Sequence, residues 1–314
     1  MQFACYYDVK RFRYLHHDLS TSDRFRLIGP ERLKKTASFY GDIMNVYIDT
    51  SDGVNEDLPI NEYCGRILNI INETNGKPFL YFKAAYSPTR SADIVKIAEE
   101  NNGKVIPFFK WSFNDDFYSY LVPNRDLIAG VGRSAKKEFD VGVFASLRSY
   151  TYPKPNSSNP LVSWQDGKKF GIGSNEDTGF FTLNTRKDLS NHIENSEFSL
   201  LYKEKIEYNN YIENSFKCNV VLNTPGIGEY TSRMFDQSFL GNCLVLRKTD
   251  YDFGLSWKNS IPEIDFNKES WESELQEIID NRKEWADRCR EYFVNSWSSN
   301  SIVGYLSDKI DENI

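Results

Sequence analysis

Short apolar runs, too brief to stand as helices, alternate along this chain with longer stretches in which apolar residues recur at helical spacing. Parallel strands joined by helical crossovers demand that alternation, so the chain is expected to be α/β. In the first part, Phe3–Tyr7, Met44–Ile48, Pro78–Phe82 and Val105–Phe109 read as buried strands, and Glu62–Ile71 and Ser91–Glu100 as helices. Pro88 and the hydroxyl residues around it, Ser87-Pro88-Thr89-Arg90-Ser91, suit a loop that feeds a helix N-terminus. Further on, Asp140–Ala145, Asn219–Leu222 and Cys243–Leu246 read as strands. Leu201–Asn214, Glu229–Leu240, Ser270–Ile279, Lys283–Phe293 and Ser301–Ile310 read as helices. No internal repeat or heptad run interrupts the pattern.

At 314 residues the chain exceeds the size at which single cores stop growing, which favours two domains. Composition turns small and charged around Arg125–Lys137, with Gly130, Gly132 and Lys136-Lys137-Glu138, so the boundary is expected near 134. Residues 1–134 then form an N-terminal Rossmann-like domain and 135–314 a second one, whose last helix is a candidate to pack back on the first. Tyr150–Asn175, rich in Pro, Ser, Asn and Gly, reads as a long irregular loop that either binds something or is a surface insertion.

Charge narrows the partners. With 38 Lys+Arg against 45 Asp+Glu, a net charge of −7 disfavours broad capture of nucleic-acid phosphates and leaves room only for a local basic pocket. Five cysteines without a C-x-x-C pair suggest neither a disulfide framework nor a zinc site, and fit a reducing compartment. The opening residues are too quickly polar for a secretory signal, and no run reaches the ~18 apolar residues of a membrane span. The expectation is a cytoplasmic protein.

The stretch richest in chemistry is Val220-Val221-Leu222-Asn223-Thr224-Pro225-Gly226-Ile227-Gly228-Glu229-Tyr230-Thr231-Ser232-Arg233-Met234-Phe235-Asp236, which continues to Leu240-Gly241-Asn242-Cys243. It reads as strand, glycine turn, helix, glycine stop and strand. Gly226 and Gly228 let backbone approach a ligand closely, and the amides that open the following helix carry a partial positive charge suited to phosphate oxygens. Tyr230, Thr231 and Ser232 add hydroxyl donors. On a helix, Glu229, Arg233 and Asp236 share a stripe about 60° wide, and Met234, Phe235 and Phe239 point elsewhere. Arg233 then suits a diphosphate and Asp236 the hydroxyls of a ribose. On spacing alone, Glu229 and Arg233 equally suit a solvated i,i+4 ion pair, and the glycines a plain tight turn. Neither G-x-G-x-x-G nor G-x-x-x-x-G-K-[ST] is present, so dehydrogenase and P-loop readings lose ground.

The order P-G-x-G-E-x-x-S-R-x-x-[acid]-x-x-x-L-G-x-x-x-V resembles the donor-binding half of exostosin-like glycosyltransferases, enzymes of the GT-B architecture. The resemblance runs from about Phe139 to the end of the chain and is most specific over Asn223–Val245. It implies two Rossmann-like domains facing across a cleft. It also implies a nucleotide diphosphate at Gly226, Ile227, Gly228 and Arg233, with Asp236 on the ribose, where the family more often has the longer Glu; Pro225 and Glu229, on either side of the turn, are further candidate binding residues. Arg148, in the loop after Asp140–Ala145, resembles the basic residue that GT-B enzymes set after the first strand of the donor domain.

Inverting sugar transfer needs a base from the facing domain, and three places after N-terminal strands offer one: Asp8, the His16-His17-Asp18 cluster, and Asp49 with Asp52. Asp49 and Asp52 rank slightly above His17. Their Asp-x-x-Asp spacing is not the Asp-x-Asp of metal-dependent transferases, so neither a metal nor a further cofactor is expected. Trp111, Phe113, Phe117, Tyr118 and Tyr120, beside Asn114, Asp115 and Asp116, offer rings on which an acceptor sugar can stack, or serve as core packing. The implied partners are a UDP-sugar donor and a glycan acceptor. A nucleotide-sugar epimerase and a non-catalytic sugar- or nucleotide-binding module are the rival readings.

Overall fold

The computed structural model describes residues 3–7, 19–28, 45–49, 64–74, 76–84, 86–89, 91–108, 125–145, 189–203, 206–223, 233–252, 254–255, 257–296 and 299–313. The chain divides into two units, one of Met1–Asn114, Asp250–Leu255 and Trp297–Ile314, the other of Asp115–Thr249 and Ser256–Ser296.

The first unit is built on a parallel sheet of β1 (Phe3–Tyr7), β2 (Phe25–Ile28), β3 (Asn45–Asp49), β4 (Phe79–Ala84) and β5 (Gly103–Phe108), in the order β2-β1-β3-β4-β5. Every residue of β3 and β4 is buried, as expected of central strands in a sheet covered on both faces. On one face Tyr47, Phe79 and Tyr81 pack against Ile67 and Ile70 of α1 (Gly65–Thr74) and Ile94 and Ala98 of α2 (Ala92–Glu99). Burying each large side chain contributes about 1.5–3 kcal/mol before the cost of ordering it.

The second unit repeats the plan. Its strands β6 (Phe139–Phe144), β7 (Leu200–Lys203), β8 (Cys218–Leu222), β9 (Cys243–Arg247) and β10 (Glu263–Ile264) are all parallel, in the order β10-β9-β8-β6-β7. Val141, Val143, Val220, Leu222 and Val245 form a core with Leu275, Ile278 and Ile279 of α6 (Trp271–Asp280). Phe144, Cys218 and Val221 pack on the opposite face with Tyr211 of α4 (Tyr208–Phe216). Two sheets of one order make this an α/β protein of two Rossmann-like units, as expected.

Three expectations need correction. Residues 201–214 are not one helix: Leu200–Lys203 pairs with β6 as an edge strand, and α4 starts at Tyr208. Leu200 and Tyr202 pack against one core cluster and Leu201 sits in another, the alternation of a strand rather than of a helix. Phe25–Ile28 and Glu263–Ile264, unassigned from sequence, are strands. The division lies at Asn114/Asp115 rather than near 134, because α3 (Arg125–Ser134) packs with the second unit. Gly132 abuts the Leu240 carbonyl and the Phe216 ring, and Lys137 Nζ donates to the carbonyls of Gly132 and Phe216, both at 2.9 Å. The glycines and charges that read as a linker are what lets this helix sit close.

The chain also returns to the first unit twice. The Asp252 N–H donates to the Tyr86 carbonyl at 2.8 Å, and Ser87 Oγ to Asp250 Oδ2 at 2.6 Å. Gly254, at φ +89°, leaves no room for a Cβ against Tyr305 and the Pro107 carbonyl. The last helix, α7 (Ser299–Asp311), belongs to this unit through buried Ile302, Leu306 and Ile310, and Asp311 pairs with Arg24 at 2.7 Å.

Candidate functional site

In each sheet the second strand in sequence lies outside the first, and the third lies on the first strand's other side. Successive crossovers therefore diverge between β1 and β3 in one unit and between β6 and β8 in the other. Open α/β sheets bind ligands outside the carboxyl ends of their strands at such points. The candidate residues all follow those four strand ends. Asp8 comes directly after β1 and His17 further along the same connection, Asp49 ends β3 with Asp52 just beyond, Arg148 follows β6, and the glycine turn follows β8.

Asp8, His17, Asp52, Arg148, and Pro225, Gly226, Ile227, Gly228, Glu229, Tyr230, Thr231 and Ser232 lie outside the described residues, as does the Trp111–Tyr120 aromatic cluster. Asp49, the backbone of Arg233, and Asp236 lie within them.

Asp49 is 5% exposed. Tyr81 donates its hydroxyl to Asp49 Oδ2 at 2.5 Å, and Lys83 Nζ stands 3.7 Å from the same oxygen. Lys83, 1% exposed, also donates to the Ala84 carbonyl at 2.7 Å. The parallel register of β3 and β4 sets Asp49 beside Lys83, so both charges fall at one strand end. A carboxylate held this way pins the end of the sheet, while a base has to meet the acceptor hydroxyl. Sequence reasoning missed Tyr81 and Lys83. The signal was a lysine within the otherwise apolar run Phe79–Ala84, which only a buried partner makes tolerable.

In the second unit β8 ends at Leu222. The Asn223 N–H donates to the Val245 carbonyl at 2.8 Å, which ties the start of the glycine turn to β9. Of the expected helix Glu229–Leu240, α5 (Arg233–Phe239) is what the described residues contain, and Glu229–Ser232 lie outside them. Met234, Gln237, Ser238 and Phe239 are buried and Asp236 is half-buried, so one side of α5 is packed and Asp236 lies toward its edge. A neutral network anchors the packed side. Gln237 Nε2 donates to the Tyr211 hydroxyl, and Asn242 Nδ2 donates to Gln237 Oε1 at 2.8 Å and to Ser215 Oγ at 3.0 Å. The Tyr211 ring in turn meets Phe144, the last residue of β6, edge-on at 5.4 Å. A cavity of about 10 Å³ between Phe144, Leu222, Asn223 and Gln237 has room for about one water, not a ligand. This packing fixes where α5 begins relative to the ends of β6 and β8.

Among the described residues no group of three or more His, Cys, Asp or Glu side chains is arranged to hold a metal ion. No described helix is long and apolar enough to cross a membrane.

No protein-family model matches the chain, and no curated protein matches it in sequence. Among solved structures, Anabaena Alr3699/HepE in complex with UDP is 10% identical, with 99% of this chain and 100% of that chain covered and a TM-score of 0.45. TarM is 12% identical, with 95% and 57% covered and a TM-score of 0.44. WaaG, a glycosyltransferase involved in lipopolysaccharide biosynthesis, is 14% identical, with 96% and 98% covered and a TM-score of 0.40. Likenesses this distant add nothing to the two sheets, on which the description of the fold rests.

Proposed function

We propose that this chain is a glycosyltransferase that moves a sugar from a nucleotide-diphosphate donor, UDP-sugar first among them, to a hydroxyl of a glycan acceptor. One observation carries the reading: every candidate ligand group follows the carboxyl end of a strand that flanks a switch point, in two sheets of identical order. The motif that resembles exostosin-like enzymes supplies the chemistry that topology alone does not.

On this reading the amides of Gly226–Glu229, with Arg233 and Arg148, hold the diphosphate and stabilise the charge that grows on it as it leaves. Asp236 accepts from the ribose. The acceptor oxygen forms a bond to the anomeric carbon as the bond from that carbon to the diphosphate oxygen breaks. The electron pair departs with the diphosphate and the acceptor proton passes to a base; attack from the face opposite the diphosphate inverts the anomeric centre. Asp52, Asp8 and His17 are the groups for that step, and Asp49 positions the end of β3 rather than taking the proton. The residues assigned here call on no metal.

The test is UDP release from UDP-sugars, measured with and without a glycan acceptor. Release that requires the acceptor fits the proposal. Release or isomerisation without one identifies an epimerase or hydrolase, and UDP binding without any turnover identifies a binding module. Failure to bind any nucleotide removes the reading altogether.

A further inference from the structure

Only two charged side chains are buried among the described residues, Asp49 and Lys83, and they are neighbours. Each occupies the carboxyl end of its strand: Asp49 is the last residue of β3, and Lys83 the last but one of β4. The parallel register sets Tyr47 beside Tyr81 and Asp49 beside Lys83. Because side chains alternate along a strand, all four stand on one face, the one covered by α1 and α2. Tyr47 and Tyr81 belong to the core of that face, and the Tyr81 hydroxyl reaches from it to Asp49 Oδ2.

Stability does not account for charges in this place. A buried ion pair gains little over apolar residues of similar size, because desolvation consumes most of the attraction. Lys83 lies between Phe82 and Ala84 in a strand buried throughout, so an aliphatic side chain would serve the strand as well. What the pair does supply is a fixed geometry. Lys83 Nζ is tied to the Ala84 carbonyl at 2.7 Å and stands 3.7 Å from Asp49 Oδ2, the oxygen that also takes the Tyr81 hydroxyl. Two groups of β4 thus hold the last residue of β3.

The chain that leaves Asp49 therefore starts from a fixed point. It re-enters the described residues at Cys64, which is buried in the same core cluster, so both ends of the connection are anchored on one face. β3 flanks the switch point of the first sheet, and Asp52 lies in this connection, three residues beyond Asp49.

We infer that Lys83 and Tyr81 are positioning residues for the acceptor half of the transfer: through Asp49 they fix the start of the connection that carries Asp52, without touching donor or acceptor themselves. The inference rests on the transferase reading. Misplacing a reacting group by about 1 Å can cost about a hundredfold in rate, so a loosened anchor should show in turnover and not in donor binding.

Steady-state kinetics of acceptor-dependent UDP release by the full chain separates this role from a purely structural one. Tyr81→Phe keeps the ring in the core and removes only the hydroxyl; kcat should fall about threefold or more, with the KM for UDP-sugar unchanged. Asp49→Asn combined with Lys83→Met keeps an acceptor for Tyr81 and leaves no buried charge unpaired; kcat should fall at least about tenfold, with donor KM and calorimetric UDP affinity as in the wild type. Wild-type kcat in Tyr81→Phe, or in the folded double variant, would overturn the inference and leave the transferase reading standing. A loss of UDP affinity that matched the loss of kcat would assign the cluster to the fold as a whole and overturn it as well. Absence of acceptor-dependent release in the wild type removes the transferase reading, and this inference with it.

Discussion

The two switch points share a topology and are braced by opposite means. Beneath the first, a buried charge pair with a tyrosine, Asp49, Lys83 and Tyr81, holds the ends of β3 and β4. Beneath the second, a neutral network of Gln237, Asn242, Tyr211 and Ser215 locks α5 to α4 and to the entry of β9. Charges removed from water cost far more to orphan than amides do, so the two regions should differ sharply in how they tolerate change.

The largest effect belongs to the charge pair. Lys83→Ala should lower unfolding free energy in urea by roughly 3–5 kcal/mol, since it leaves Asp49 charged and buried. Adding Asn at position 49 in a Lys83→Met background should recover most of that loss. If Lys83→Ala costs no more than an ordinary surface change, the contrast between the two units fails.

Next comes the neutral network. Gln237→Ala should cost about 1–3 kcal/mol by the same assay, because Tyr211 and Asn242 each lose a buried hydrogen bond. Because Gln237 seats the helix that carries Arg233 and Asp236, UDP affinity should fall as well, whereas Lys83→Ala should leave it unchanged wherever the protein remains folded.

Gly241→Ala comes third. The residue sits at φ +74°, and an added Cβ would lie 2.9 Å from the Ala129 carbonyl oxygen. Left-handed backbone at a residue with a Cβ costs roughly 1–2 kcal/mol, and the crowding adds to it. Thermal unfolding should register the loss as a lower midpoint.

The smallest effect tests burial itself, through a surface carboxylate of the first unit. Burial opposes the charge of Asp250, but hydrogen bonds from Ser87 and Thr89 outweigh it and hold the pKa below the usual value. Its stabilising contribution is therefore full above the unfolded-state pKa near 3.9 and is lost as pH falls through the lower folded value. Asp250→Asn should cost less than about 1 kcal/mol near neutrality, after allowance for solvent screening, and progressively less in acid. A loss that matched Lys83→Ala would show that burial does not set the scale.

Much of the fold was legible because buried strands of parallel sheets leave a strong apolar signature, as in Phe79–Ala84 and Cys243–Arg247. Short strands at sheet edges do not. Leu200–Lys203 is four residues long and is followed by charges, so its leucines fit a helical period as well as an extended one. The allocation of α3 was illegible for another reason. Gly132 and Gly241 look like breaks in the sequence, but their task is close approach between elements far apart along the chain. At the candidate site, the supports of Asp49 and of α5 were not equally legible. Lys83 betrayed itself as a charge in an apolar run, whereas nothing local links Gln237 to Tyr211.

The central claim is that the segment entering α5 grips a nucleotide diphosphate. Calorimetric titration of UDP into the wild-type chain and into Arg233→Ala addresses it directly. The account predicts saturable binding by the wild type and at least about a tenfold loss in the variant, the scale of a charge-assisted contact to phosphate, with an unchanged circular dichroism spectrum. Equal affinity in the two proteins, or no binding by either, would contradict it.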